Sequence, residues 1–487
     1  MRILNPLFRF FVAKRLNLLG LYLVLSLRYL ITTLLLLCFS LMHFGLKADL
    51  LSASVNYTNG EYQKALNEFS QLAKLGNSDA MFNIAVMHLH GRGVKKDLNK
   101  AYAWFSLAGE FGITDAKNTA EYIVTKTQNS DALHQAKQQL DAELSYQRYV
   151  TTLAPQFNEA FNTLIQPIKS FNVDPVYPEH AVDRGIEGWV WVEYDIDGTG
   201  AVINAQIIDS YPQKTFDNAM LMALKRWRFE QSEQLPIKRR SLLYHFTTFK
   251  GKRYQQGFSR QQREYQKHIA EVIEQAENGN ALWQYRIAQW LTTDKHNASK
   301  LLKYHWPKQS EAQSLMLNAA KNGYPFAQYR IATQLLAGDK TAQDRKKGLN
   351  WLLLSAQNGF ALAQYRLGIE LLVKKSVHYD MEKARLWLTQ ASDKGHLLAK
   401  TALTRLALSQ ADISESEYKT LHQQIDFVLQ QNANNAEAWY LKAKLSYQQN
   451  DTSSANKQLD RAIDNANAQK IDFSEMKALK RKLAAKS

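Results

Sequence analysis

The sequence predicts a mostly helical repeat protein, a solenoid, with one small α+β domain inserted in mid-chain: a three-stranded antiparallel sheet carrying two helices. Three observations predict it. Helix-ending glycines recur at a nearly constant spacing through both halves of the chain. Only the stretch from Asn172 to Lys252 exchanges helical periodicity for aromatic and β-branched runs broken by Pro and Gly. Ahead of both, the chain opens with a basic and then apolar segment. The 487 residues therefore divide into an N-terminal segment (1–48), a first helical repeat (49–112) and a helical linker (113–170). The α+β domain (171–252), further repeats (253–410) and a tail with another helix pair and a cap (411–487) follow.

In the N-terminal segment Arg2, Arg9, Lys14, Arg15 and Arg28 precede an apolar run from Tyr29 to Leu46, and no acidic residue occurs before Asp49. That run is about the minimum length for a bilayer-spanning helix. Basic residues on its N-terminal side keep that end in the cytoplasm, so everything after Asp49 is expected to be exported. Leu46-Lys47-Ala48 leaves signal cleavage as the alternative to a permanent anchor. Cys38 is the single cysteine, which excludes an intrachain disulfide. It follows Leu37 rather than a small residue, which argues against a lipoprotein-type signal.

From Tyr57 to Gly112 apolar residues fall on helical stripes: Ala65, Phe69, Leu72 and Ala73, then Ala80, Ile84, Ala85 and Met87. Gly76 ends the first helix. The turn Gly91-Arg92-Gly93-Val94-Lys95-Lys96-Asp97 leads into Lys100-Ala101 and Trp104-Phe105. No strand precedes these glycines and no Gly-Lys-Ser follows, so they are turn residues and no phosphate cradle. The order Gly-x-Gly-Val-x-x-Asp-x-x-Lys-Ala resembles the loop signature of Sel1-like repeats. Gly76 and Gly112 stand 36 residues apart; Gly279, Gly323, Gly359 and Gly395 follow at steps of 44, 36 and 36. A period of this size marks a helical solenoid.

The longer step places an insertion at Asp294–Gln309. His296 and His305 within it have no carboxylate or cysteine at metal spacing and read as solvated loop residues. Gln-Tyr-Arg recurs at 284–286, 328–330 and 364–366. It either lines a concave groove for a partner, or packs its tyrosine between helices with the arginine in solvent, the reading preferred here. In the linker, Leu133, Ala136, Leu140 and Leu144 share one helix face. In the tail, Ala438-Trp439, Lys442-Ala443 and Ser446-Tyr447, followed by Ala455 and Leu459-x-x-Ala462, resemble a tetratricopeptide repeat.

Within 171–252, Val173-Asp174-Pro175-Val176-Tyr177-Pro178 is an extended approach, because each proline pushes its predecessor out of the helical region. A short helix, Glu179 to Arg184, ends at Gly185. Strands are expected at Glu187–Ile196, Ala201–Asp209 and Ser241–Phe249, with the Asp197-Gly198-Thr199-Gly200 turn between the first two. An amphipathic helix opens at Phe216-Asp217 and runs to Phe229. The ordered set Tyr177-Pro178, Ala181, Gly185, Glu187-Gly188, Gly200, Ser210, Pro212, Phe216-Asp217-x-Ala219 and Trp227-x-Phe229 resembles the C-terminal domain of the TonB family of energy transducers.

That resemblance implies an edge strand, Ser241–Phe249, that accepts an extended peptide of an outer-membrane receptor by strand addition. Leu242, Tyr244 and Phe246 are then the binding residues, with Tyr177 and Pro178 as the family motif. The plainer alternative has Leu242, Tyr244 and Phe246 alternating into the core while neighbouring repeats cover the edge. Trp189 and Trp191 lie on the face opposite Val190, Val192, Tyr194 and Ile196, and are expected to pack on the flanking helices. The resemblance also implies an inner-membrane location with the bulk in the periplasm (soluble periplasmic if the signal is cleaved), and a proton-channel complex as partner. Ser40 and His43 stand where the family carries its motor-contacting Ser and His, but three residues apart instead of four. The family's long proline-rich spacer is missing: the chain has 9 prolines and no run of them.

Net charge is +16, but Lys and Arg are scattered, with no basic stripe interleaved with aromatics; no nucleic-acid partner is expected. No catalytic motif, metal cluster or cofactor loop is found, so no enzyme, metal or cofactor is expected. Two readings remain. One is an envelope protein of TonB type that docks receptor peptides and couples inner-membrane energy to transport. The other is a periplasmic Sel1/tetratricopeptide scaffold without energy coupling.

Overall fold

The computed structural model describes residues 49–127, 130–156, 167–232, 236–247, 269–337, 341–373, 377–410 and 413–485. The expected anchor, with Cys38, Ser40 and His43, lies outside the described residues. Among the described residues no helix is long and apolar enough to cross a membrane.

The first repeat comprises α1 (Leu50–Thr58), α2 (Tyr62–Lys74), α3 (Ser78–His90) and α4 (Leu98–Glu110). Side-chain caps fix the starts of α1, α3 and α4: Asp49 accepts from Ser52 N, Asn77 from Ala80 N and Asp97 from Lys100 N, at 2.8, 2.7 and 3.0 Å. The linker folds as α5 (Thr114–Lys126), α6 (Ser130–Glu143) and α7 (Tyr146–Thr152). It runs back along the later repeats: Trp387 Nε1 donates to Leu153 O at 3.0 Å and Lys383 Nζ to Ala154 O at 2.7 Å. Asn77 Nδ2 donates to Asn358 Oδ1, and Gln357 Nε2 to the Tyr149 hydroxyl at 2.8 Å.

After the sheet domain, the solenoid resumes with helical residues 269–277, α8 (Ala281–Trp290), the insertion helix α9 (Asn297–Leu302) and α10 (Gln309–Lys321). It continues through α11 (Pro325–Leu336), α12 (Ala342–Gln357), α13 (Ala361–Leu372), α14 (Met381–Asp393) and α15 (Leu397–Ala407). The tail supplies α16 (Glu415–Gln431), α17 (Ala436–Gln448), α18 (Thr452–Gln469) and α19 (Ser474–Ala484). Gly76, Gly279, Gly323, Gly359 and Gly395 all lie at φ between +81° and +87°, the left-handed turn that ends a helix and that glycine alone adopts freely.

The glutamine of each Gln-Tyr-Arg triplet makes one repeated bond. Nε2 of Gln284, Gln328 and Gln364 donates to the carbonyl eight residues back, in Ala276, Ala320 and Ala356, at 2.9, 2.9 and 3.0 Å. Lys400 Nζ takes that place in the next repeat, on Ser392 O at 2.9 Å.

The inserted domain contains β1 (Lys169–Phe171), β2 (Gly188–Ile196), β3 (Val202–Tyr211), β4 (Arg228–Phe229) and β5 (Ile237–Phe246). The three-stranded sheet is antiparallel with β2 central and β3 and β5 at its edges; β1 and β4 form a separate ribbon. Short helices at Glu179–Asp183 and Asp217–Leu224 cover one face, where Ala181, Phe216, Met220 and Leu224 pack with Val190, Val192, Tyr194 and Ile196. Two expectations are corrected. The second helix stops at Leu224, and Arg228–Phe229 extend to pair with β1. The last strand begins at Ile237, four residues earlier than expected.

Residues 48–487 form one compact unit. All nine residues of β2 are buried, on both faces of the sheet, which an isolated domain of this size would not achieve. The second cover is the solenoid itself.

Candidate functional site

The solenoid lays the Tyr and Arg of its Gln-Tyr-Arg triplets against the open face of the sheet. Trp189 meets Tyr285 edge to face with centroids 6.0 Å apart, Trp191 meets Tyr329 at 5.7 Å, and Tyr211 meets Trp290 at 5.9 Å. Both tryptophans are fully buried, in the same apolar cluster as Ile287, Ala327 and Leu367 of the repeats. The expected packing of Trp189 and Trp191 on flanking helices is what the structure shows. The preferred reading of the arginines is corrected: Arg330 lies over the Trp191 ring at 5.2 Å and Arg366 is buried against Glu193, so neither is in solvent.

Carboxylates from the sheet meet the groove in register. The Tyr285 hydroxyl bonds Asp209, and Tyr329 donates to Glu193 Oε2 at 2.7 Å. Arg366 Nη1 donates to Glu193 Oε1 at 2.9 Å. Burial penalises the Arg366 charge, but the adjacent Glu193 more than offsets that and holds its pKa above the ordinary value. Asp195 accepts from Arg239 N and Nε at 2.8 and 3.0 Å, and from Asn204 Nδ2 at 2.9 Å. The Arg239 guanidinium lies over Tyr365, whose ring stacks on His396 at 4.5 Å.

His296, expected in solvent, is fully buried against Trp290. Its Nε2 is 2.8 Å from Nδ1 of His245 on β5, and His245 Nε2 is 3.0 Å from Thr292 Oγ1. The insertion is thus a wall of the groove and closes over the end of β5. Burial first, then the nearby His296, Arg330 and Lys295, push His245 down to about 3. His305 remains half-exposed, bonded to Glu277. Among the described residues no group of three or more His, Cys, Asp or Glu is placed to hold a metal.

The sequence did contain a signal for this contact. At the positions of Gln-Tyr-Arg the first repeat has Met81-Phe82-Asn83 and the repeat after the third triplet has Lys400-Thr401-Ala402. The Tyr-Arg pair occurs in the three repeats whose tyrosines pack on the sheet and its side chains, while the next repeat reaches the sheet through His396, 3.3 Å from Gln206.

β5 is paired on one side only. β2 takes its inner edge, and among the described residues no strand takes its outer edge. Its side chains alternate: Ser241, Leu243 and His245 face the solenoid, where Trp191 Nε1 donates to Ser241 Oγ at 2.8 Å. Leu242, Tyr244 and Phe246 face the domain core, with Phe246 stacked on Phe216 at 4.3 Å. Tyr177 packs on Phe216 and Phe246 and donates its hydroxyl to Ile186 O at 2.5 Å, while Pro178 caps the first short helix. Gly188 is required at the strand start, since a Cβ there would lie 2.1 Å from Tyr211 O. What β5 offers outward is backbone.

The family model of the Gram-negative bacterial TonB protein C-terminal matches residues 173–244, and the Sel1 repeat model matches 78–110, 325–360 and 361–396. The chain is 43% identical over 56 residues to Protein TonB of Yersinia enterocolitica, covering 12% of this chain and 22% of that protein. It is 42% identical over 64 residues to Protein TonB of Pseudomonas aeruginosa, covering 13% and 19%. The chain spans about a fifth of the length of the curated relatives it matches. A Sel1 repeat protein from Oxalobacter formigenes is 20% identical with a TM-score of 0.30, covering 41% of this chain and 66% of that one. The chain thus carries a TonB C-terminal domain and three Sel1 repeats, both protein-interaction kinds.

Proposed function

We propose that this chain is a TonB-type protein of the cell envelope that binds an extended segment of an outer-membrane receptor by strand addition to the outer edge of β5. It works by offering backbone to other proteins and makes or breaks no bond of its own. The observation that carries the reading is the division of labour in the sheet. β5 packs side chains on both faces of the sheet and gives its inner edge to β2, while among the described residues no strand takes the N–H and C=O groups of its outer edge. Residues 1–48 hold the chain in the inner membrane with its bulk in the periplasm, and Ser40 and His43 are the candidates for touching a proton-channel complex.

A second reading, an envelope scaffold without energy coupling, is favoured by one specific observation. The linker folds back onto the repeats at Leu153 and Ala154 instead of reaching outward.

Pull-down from solubilised envelope with the full chain tests both. Recovery of outer-membrane receptors, released by synthetic peptides of their periplasmic N-terminal segments, supports receptor docking. Recovery of soluble periplasmic proteins alone supports the scaffold. A reporter fused after Asp49 that is active only in the cytosol removes both readings.

A further inference from the structure

The outer edge of β5 is not uniform. From Gly188↔Phe246 to Tyr194↔Arg240 the pairing with β2 is regular, then it slips: the next partner of β5 is Ile196↔Ile237. One residue of β2, Asp195, therefore stands against two of β5, which is a β-bulge. Its second residue, Arg239, has φ +58°, a left-handed conformation that a side-chain-bearing residue in a strand adopts only when its surroundings impose it.

Those surroundings come from two places. On the sheet, Asp195 Oδ1 accepts from Arg239 N at 2.8 Å and Nε at 3.0 Å and lies 2.9 Å from Nη2. From the solenoid, Tyr365 lies under the guanidinium at 5.2 Å. Glu193, itself held by Tyr329 and Arg366, lies 4.0 Å from Nη1. The second grip exists only because the sheet sits in the groove.

We propose that the Arg239 bulge, held by the solenoid, is a register stop on the docking edge: an added strand pairs along Arg240–Phe246 and ends there. The inference rests on the strand-addition reading above. A bulge turns the backbone out of the ladder, so groups beyond it cannot continue a regular pairing. It also shortens the free margin open to a second copy of the same edge, a known protection of edge strands. The solenoid thereby acts as a specificity element, setting how long a segment is read and where its reading begins. Arg239 is a positioning residue, because it acts through the shape of the strand.

The test uses the full chain in detergent and labelled, end-blocked peptides of alternating Thr and Val, from about four to about twelve residues, with affinity read by fluorescence anisotropy. Affinity is expected to rise with length to about seven residues and then level off. Arg239→Gly removes the guanidinium contacts but keeps a positive φ comfortable, so the plateau stays. Arg239→Val removes the same contacts and favours an extended backbone, so the plateau moves to about ten residues. Affinity that climbs to about ten residues in the unsubstituted chain overturns the register stop, as do identical plateaus in the two variants. Should Arg239→Val not fold, the unsubstituted length series decides alone. Failure of every peptide to bind at any length overturns strand addition itself, whereas binding with another length dependence overturns the register stop only.

Discussion

The Tyr329 hydroxyl donates to Glu193 Oε2 at 2.7 Å, joining the second Gln-Tyr-Arg repeat to the central strand of a sheet 136 residues earlier in the chain. Arg366 meets the other carboxylate oxygen from the third repeat. Removing the hydroxyl leaves Glu193 its arginine, so Tyr329→Phe is expected to cost about 1–3 kcal/mol. Glu193→Ala strips the buried Arg366 and Arg239 of that charge and is expected to cost about 3–5 kcal/mol. Urea unfolding of the two variants, followed by tryptophan fluorescence, checks the order; equal losses would contradict the network.

The two tryptophans make the sheet and the groove one core. Trp191→Ala is expected to cost about 3–5 kcal/mol. Hydrogen exchange should quicken in β2 and α11 while the first repeat, with its separate core around Phe69 and Phe105, stays protected. Loss of protection confined to the sheet would mean the groove does not depend on it.

Acid should loosen the same interface. His245 is pushed down to about 3 by burial with His296, Arg330 and Lys295, and His396 down to about 3 by burial with Arg239. Each stays neutral in the fold where the unfolded chain, at its ordinary 6.5, takes a proton. Their contribution is therefore full above 6.5 and is lost as pH falls towards 3. Asp209 runs the other way. Burial raises it to about 6 from 3.8, so its contribution is present at low pH and lost as pH rises through that window. Two histidines against one aspartate leave a net loss on acidification. Melting temperature should fall from about pH 7 to about pH 4.5, less steeply in His245→Gln and more steeply in Asp209→Asn. Parallel curves for all three proteins would refute the assignment.

The repeated glutamine bond predicts a graded series. Gln284→Ala, Gln328→Ala and Gln364→Ala each leave a carbonyl at a helix end without its side-chain partner and should each cost about 1–3 kcal/mol. Lys400→Ala should cost a similar amount through Ser392 O. Differential calorimetry on the four variants measures it, and an unaffected Gln328→Ala would show the bond to be incidental.

Much of this protein was legible locally. The glycines after each first helix announce its end, and Tyr177-Pro178 through Trp227-x-Phe229 outline the domain. Those signals act over a few residues, where backbone sterics and capping bonds are decided. Misreadings arose where distant chain segments compete. Arg228–Phe229 leave helical periodicity because β1 supplies a pairing partner, and His296 leaves solvent because β5 brings His245 to it.

Local signals alone place a TonB-like sheet domain within a helical solenoid, because periodicity and turn residues are written in neighbouring positions. Long-range packing is what fills the solenoid's groove with that sheet, sets Tyr329 and Arg366 against Glu193, and bends Arg239 out of its strand. Those are relations between residues 44 to 173 positions apart. Burying aromatic faces and pairing buried charges is a property of the juxtaposed surfaces and of neither segment alone.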